Sequence, residues 1–383
     1  MAVLLRRIGL PTIMGELLMG VILGPAVLGW IEMNEVIEIL AQMGIFFLML
    51  HTGVETKPRE FYDATKKSLG VALVGAIVPF SVSFGIALAF GLSTTSALFV
   101  GLTMTATAVV ITLKILRDIG LHDTRMARVI IASCIIDDVL TLILFSIAIG
   151  VVSGGAHDPV QLLWISAKTV FFFVVVVFAG SRLFPLFKYP FKDRQGKGFT
   201  FVLVLALSFG LFAEFIGLHI ILGAYLAGLF FDEVVANPVL IEKVEDRLYG
   251  IAYSFLGPIF FISLGFNMTF ESLKGPGLLF VIALTVACAV GQIISAGGMA
   301  RRLNFSWPES MVVGIGMCGR AEMAFILASL GLQSGAIDTT TFSVLIVTTF
   351  LLNIFTIIGL KWCAVHLKRI RPVPPPTPME EWP

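Results

Sequence analysis

Apolar segments of membrane-spanning length succeed one another from residue 10 to residue 366, and no other feature constrains this chain as strongly. A helix needs about 20 apolar residues to cross a hydrocarbon layer of ~30 Å. The segments fall at 10–28, 34–52, 68–90, 95–116, 126–152, 160–185, 198–216, 219–231, 248–270, 276–300, 309–332 and 340–366, which predicts twelve helices. Of 383 residues, 57% are hydrophobic and 13% charged, the latter about half the charged share of an ordinary soluble domain. With a mean hydropathy of +0.98, the chain holds more apolar surface than one soluble core encloses. The expected class is an all-α polytopic membrane protein. The formal net charge is +1 and no basic domain stands apart, which excludes nucleic acid as a partner and leaves membrane lipid and small solutes. Cys134, Cys288, Cys318 and Cys363 sit inside apolar segments without CxxC or Cys/His spacing, so they read as small buried hydrophobes and no cofactor is implied.

Charge sets the orientation. All but three of the 26 Lys and Arg fall in alternate connections, from Arg6 and Arg7 through Lys188, Lys192 and Arg194 to Lys368, Arg369 and Arg371. By the positive-inside rule that side is the cytoplasm, and it carries the C-terminus as a short Pro-rich tail over 367–383. Residues 1–9 read as the remnant of a preceding helix. The exceptions are Lys168 and Lys274, toward the outer side, and Arg320, about mid-helix.

The chain also repeats. Gly15-Glu16-Leu17-Leu18-Met19-Gly20 is echoed by Gly223-Ala224-Tyr225-Leu226-Ala227-Gly228, and Phe46-Phe47-Leu48-Met49-Leu50 by Phe260-Phe261-Ile262-Ser263-Leu264. An offset of seven helices makes the two copies run in opposite directions, the inverted-repeat architecture of secondary transporters. The fourth helix should then pair with the eleventh. One carries Thr103-Met104-Thr105-Ala106-Thr107 and the other Cys318-Gly319-Arg320-Ala321-Glu322 behind Gly314 and Gly316, so both are expected to be interrupted.

Chemistry concentrates at Asp137-Asp138, in the middle of an apolar run from Met126 to Val152. Each aspartate at the centre of a spanning helix costs about 2.5–3.5 kcal/mol on the insertion scale, so the pair marks a site. Neighbours on a helix point about 100° apart, so one can face a cavity while the other turns to a packed neighbour. Two close, partly desolvated carboxylates repel as anions, and such a pair holds and exchanges a proton or a monovalent cation. The bland alternative is a pair that bonds only to backbone or to Arg320. Arg320 and Glu322 have two readings, transport chemistry or neutralisation of free carbonyls and amides at a helix break. Thr105 and Thr107 also have two, cation ligands or hydroxyls bonded back to their own helix. Glu16, Glu214, His51, His122 and His219 read as paired, capping or interfacial groups.

The string Leu10-Pro11-Thr12-Ile13-Met14-Gly15-Glu16, with Gly24-Pro25, Gly53-Val54-Glu55, Ile136-Asp137-Asp138 and Gly319-Arg320-Ala321-Glu322, resembles the monovalent cation/proton antiporters of the NapA and Kef type over nearly the whole chain. The resemblance implies a non-enzymatic homodimer of the prokaryotic inner membrane that exchanges Na⁺ or K⁺ for H⁺. It implies scaffold or dimerisation helices over 10–52 and core helices over 68–152, then linking helices over 160–216. Second-repeat helices follow over 219–270 and second-repeat core helices over 276–366, with the core moving as an elevator against the scaffold. Asp138 becomes the principal cation and proton ligand with Asp137 beside it, and Thr105 and Thr107 fall at the first helix break. One departure stands out: where NapA-like members carry a lysine in the tenth helix, this chain has Gln292, which points to one proton per cation. A sodium-coupled symporter or cation channel on the same scaffold is the rival. An intramembrane aspartyl protease is disfavoured because its two aspartates come from different helices.

Overall fold

The computed structural model describes residues 11–56, 66–118, 120–121, 124–154, 159–182, 197–234 and 238–370. Among these residues every regular element is helical. The first helix, α1, spans Thr12–Leu23, followed by α2 (Glu35–Glu55), α3 (Lys66–Ala89) and an interrupted helix with halves α4a (Thr94–Thr103) and α4b (Val109–Asp118). Next come α5 (Arg125–Gly154), α6 (Pro159–Arg182), α7 (Lys197–Phe215) and α8 (Ile220–Val234). Helix α9 runs through Pro238–Ile251, a π turn at Ala252–Leu256 and Gly257–Phe266. Helix α10 covers Pro276–Arg302 with a π turn at Ile293–Gly297. A second interrupted helix has halves α11a (Trp307–Gly316) and α11b (Glu322–Gln333), and α12 (Thr339–Ile370) closes the chain. Seven of the described helices are long and apolar enough to cross a membrane. Residues 1–9, residues 371–383 of the tail, and His122 lie outside the described residues.

The element order matches the predicted twelve helices, with local differences that have physical reasons. Helix α1 stops at Leu23 rather than running to 28, because Gly24 precedes Pro25 and takes an extended conformation. Helix α9 starts ten residues before its apolar part: Glu242, Lys243, Glu245, Asp246 and Arg247 form a polar helical lead-in that an apolar window passes over. Helix starts carry their own signals. Asn34 accepts from the Ile37 amide at 3.0 Å, Ser93 from Ser96 at 3.1 Å, and Asp338 from Thr341 at 2.8 Å. Ser306 and Glu309 form a capping box ahead of α11a.

The sequence echo has a packing cause. Helix α1 lies against the second half of α9, and α8 against α2, so each repeat lends its short first helix to the long second helix of the other. A methyl group on Gly20 would collide with the Ile262 carbonyl, and one on Gly228 with the Leu50 carbonyl. Small residues permit close backbone approach where lipid supplies no hydrophobic drive to hold helices together. The echoed glycines are these two contacts, related by the inverted repeat.

Candidate functional site

The two helix breaks meet in the interior. Residues 104–108 interrupt one helix and 317–321 the other, and the Ala108 amide donates to the Gly319 carbonyl across the crossing at 2.9 Å. The Thr112 hydroxyl donates to the Gly316 carbonyl at 2.6 Å, which closes the end of α11a from α4b. Within a hydrocarbon layer each freed backbone group must find a protein partner, and the breaks supply them to each other.

Arg320 completes this arrangement. Its side chain is fully buried, with Nη1 donating to the Met317 carbonyl at 2.9 Å and the Gly319 carbonyl at 3.2 Å, and Nη2 to Gln292 Oε1 at 3.2 Å. Its backbone amide donates to Asn353 Oδ1 of α12 at 2.8 Å. The planar fork of a guanidinium suits three such acceptors at once. Gln292 is the last residue before the π turn of α10, a type of irregularity that often marks a functional position.

The aspartates lie on α5 beside the crossing. Asp137 is fully buried and Asp138 is 8% exposed. The Thr107 hydroxyl donates to Asp137 Oδ2 at 3.3 Å, while Oδ1 of each aspartate is buried without a hydrogen-bond partner. Arg320 is within electrostatic reach of Asp137, and Glu322 of Asp138. Glu322 opens α11b, where the positive end of the helix dipole favours a carboxylate. Thr105 is directed elsewhere: its hydroxyl donates to the Gly101 carbonyl at 2.8 Å, the back-bonded alternative. Of the seven residues singled out in the sequence, Thr107 meets Asp137 and Arg320 meets Gln292 by direct hydrogen bonds, Arg320 adjoins Asp137 and Glu322 adjoins Asp138 by charge, and Thr105 serves its own helix. Asn353, Thr112 and Thr141 carried no sequence assignment, and Thr103 only membership of the run expected to break its helix. Asn353 had a visible signal, a lone amide deep in an apolar helix, but neutral groups draw less notice than charged ones.

A cavity of about 360 Å³ reaches Arg320 and Glu322 of this cluster, with Glu55, Lys114, Tyr253 and Asn353 also among its walls and the two aspartates outside its lining. Lys114, Asp118 and Lys361 stand among its lining residues, so it opens on the face where the basic residues gather. Toward the opposite face, Phe99 and Phe145 meet edge to face with ring centroids 6.3 Å apart, and His219 stands 6.1 Å beyond Phe145.

A buried acid pair set against two crossed helix breaks defines an inverted-repeat membrane transporter, in which half-helix ends and free carbonyls converge on a site. Comparison with known proteins gives the family. The family model described as sodium/hydrogen exchanger, transmembrane, matches residues 1–365. The chain is 33% identical over 352 residues to the Na(+)/H(+)-K(+) antiporter GerN of Bacillus cereus, covering 91% of this chain and 89% of that one. It is 26% identical over 359 residues to the Na(+)/H(+) antiporter of Enterococcus hirae, with 93% and 92% covered. Among solved structures, the sodium proton antiporter MjNhaP1 from Methanocaldococcus jannaschii superposes with a TM-score of 0.74 over 96% of this chain and 94% of that one, at 17% identity. The chain belongs to the sodium/hydrogen exchanger family, a family of transporters and not of enzymes.

Proposed function

We propose that the protein exchanges Na⁺ or K⁺ for H⁺ across a prokaryotic inner membrane, with the basic face and the C-terminus in the cytoplasm. Proton and cation compete for Asp137 and Asp138. A carboxylate that has released its proton offers oxygen ligands to a hard cation, and one that has taken a proton does not, so the two are carried alternately in opposite directions. The observation that carries this reading is the pair of unpartnered aspartate oxygens beside the crossed breaks. The names of the relatives agree with a cation/proton exchange, one being a Na(+)/H(+)-K(+) antiporter and the other a Na(+)/H(+) antiporter.

The cavity from the basic face supports an inward-facing state, with the core helices over 68–152 and 276–366 moving as an elevator against a dimeric scaffold that includes residues 10–52. Its motifs at Gly15-Glu16, Asp137-Asp138 and Gly319-Arg320-Ala321-Glu322 resemble those of the NapA and Kef type. The cycle is electroneutral in this proposal. Gln292 cannot release a proton, so the proton given up when a cation binds comes from a carboxylate, one for each cation. Proteoliposomes loaded with a pH dye test the reading: added NaCl or KCl moves the internal pH without any organic solute, whereas a requirement for such a solute would establish the symporter.

A further inference from the structure

Three buried hydroxyls have no role in the exchange described so far: that of Tyr225 on α8, within electrostatic reach of Asp138, and those of two threonines on α4a and α5. Hydroxyls in these helices commonly bond the carbonyl one turn back: Thr105 to Gly101 at 2.8 Å, Ser146 to Leu142 at 2.7 Å, Thr285 to Val281 at 2.7 Å, and Thr356 to Leu352 at 2.8 Å. Thr103 and Thr141 depart from this pattern. Both are buried, at 1% and 0% exposure, and neither Oγ1 has a hydrogen-bond partner. A buried polar atom left unpaired costs about 1–3 kcal/mol, so each such hydroxyl needs an explanation.

Two contacts fix how the fourth and fifth helices pass each other. Phe99 of α4a meets Phe145 of α5, and eight residues further along, Thr107 meets Asp137, eight residues back. The helices are antiparallel, so Thr103, one turn below Phe99, falls opposite Thr141, one turn below Phe145. On α5, Thr141 lies four residues beyond Asp137 and three beyond Asp138, which puts it on their side of the helix about one turn away. By this register the unpartnered oxygens of Asp137, Thr103 and Thr141 line the seam between α4a and α5, and that of Asp138, whose carboxylate is within reach of Glu322, stands next to them on α5. The Phe99–Phe145 contact closes that seam on the side away from the basic face.

We propose that Thr103 and Thr141 are ligands of the transported monovalent cation, so that the site is a slot of two carboxylates and two hydroxyls between α4a and α5. Hard cations take oxygen ligands, and neutral hydroxyls supply them without adding charge that the proton must also compensate. The assignment rests on the cation/proton exchange proposed above.

The test uses the full chain with Thr103→Val and Thr141→Val, which keep shape and remove the hydroxyl, and Thr103→Ser and Thr141→Ser, which keep it. In proteoliposomes each valine variant is expected to raise the apparent KM for Na⁺ or K⁺ about tenfold while the maximal rate stays within about twofold, and serine to restore the KM. Thermal melting in detergent with NaCl or KCl against choline chloride gives a second readout: the cation-induced rise in melting temperature shrinks for valine and returns for serine. Valine variants with the wild-type KM and the wild-type cation-induced rise would overturn the assignment, as would a loss of maximal rate shared equally by valine and serine. If the unaltered chain moves no protons against Na⁺ or K⁺, the exchange reading fails by itself, and the melting comparison still decides whether these hydroxyls hold a cation.

Discussion

The Arg320 guanidinium donates to the Gln292 amide oxygen at 3.2 Å, and both side chains are fully buried. A tenth-helix ammonium at the Gln292 position would bring a second cation against the guanidinium. The amide accepts from it instead and fixes it against the carbonyls of the break. The positive charge near Asp137 thus comes from the guanidinium and not from a tenth-helix lysine. On solid-supported membranes a cation gradient alone is expected to drive no current through the protein. A sustained current of either sign would sink the one-for-one stoichiometry.

The same pair sets an expectation for stability. Gln292→Ala removes one acceptor from a buried charge and should cost about 1–3 kcal/mol, read as a lower melting temperature in detergent. Arg320→Lys should cost at least as much, because a single ammonium does not reproduce the fork onto Met317, Gly319 and Gln292. If Arg320→Lys melts with the wild type, the guanidinium is not what holds the break together.

Asp138→Asn should abolish exchange in proteoliposomes while the protein still elutes as a folded species, since the amide keeps the shape and loses the charge. Wild-type exchange in this variant would refute the assignment of the site.

The two threonines of the first break should separate. Thr107→Val removes the donor to Asp137 and is expected to shift the cation and proton dependence of exchange by about 1 kcal/mol, roughly fivefold in apparent affinity. Thr105→Val removes only a bond to its own helix and should leave both dependences in place. Side-by-side titration of the two variants with Na⁺, K⁺ and H⁺ checks this, and equal effects would contradict the geometry.

Gly20→Ala and Gly228→Ala should both destabilise strongly, because the added methyl meets backbone that has no room to move. Gly85→Ala is the control: nothing lies within 4 Å of the added methyl, and in a helix interior alanine gains up to about 1 kcal/mol over glycine. Melting temperatures of the three variants give the comparison. Indistinguishable values would remove the packing account of the echoed glycines.

The sequence by itself determined the class of fold, the number and order of the helices, and the places where two of them break. Those features are local: apolar length, capping residues and runs such as Met317–Ala321 act over a few neighbouring residues. It also marked Asp137 and Asp138, because charge in an apolar run is costly wherever the run ends up. What the tertiary structure decided is which polar group answers which. Arg320 finds Gln292 from 28 residues away and Asn353 from 33, and Thr112 closes the Gly316 end from 204. Thr105 and Thr107 were equivalent as letters and became different once one faced its own helix and the other faced Asp137. That the Thr103 and Thr141 hydroxyls are both buried without partners is likewise visible only in the packed helices. Hydrogen bonds reach about 3 Å, so they are settled by how helices pack, and the apolar pattern that specifies the helices does not encode that distance.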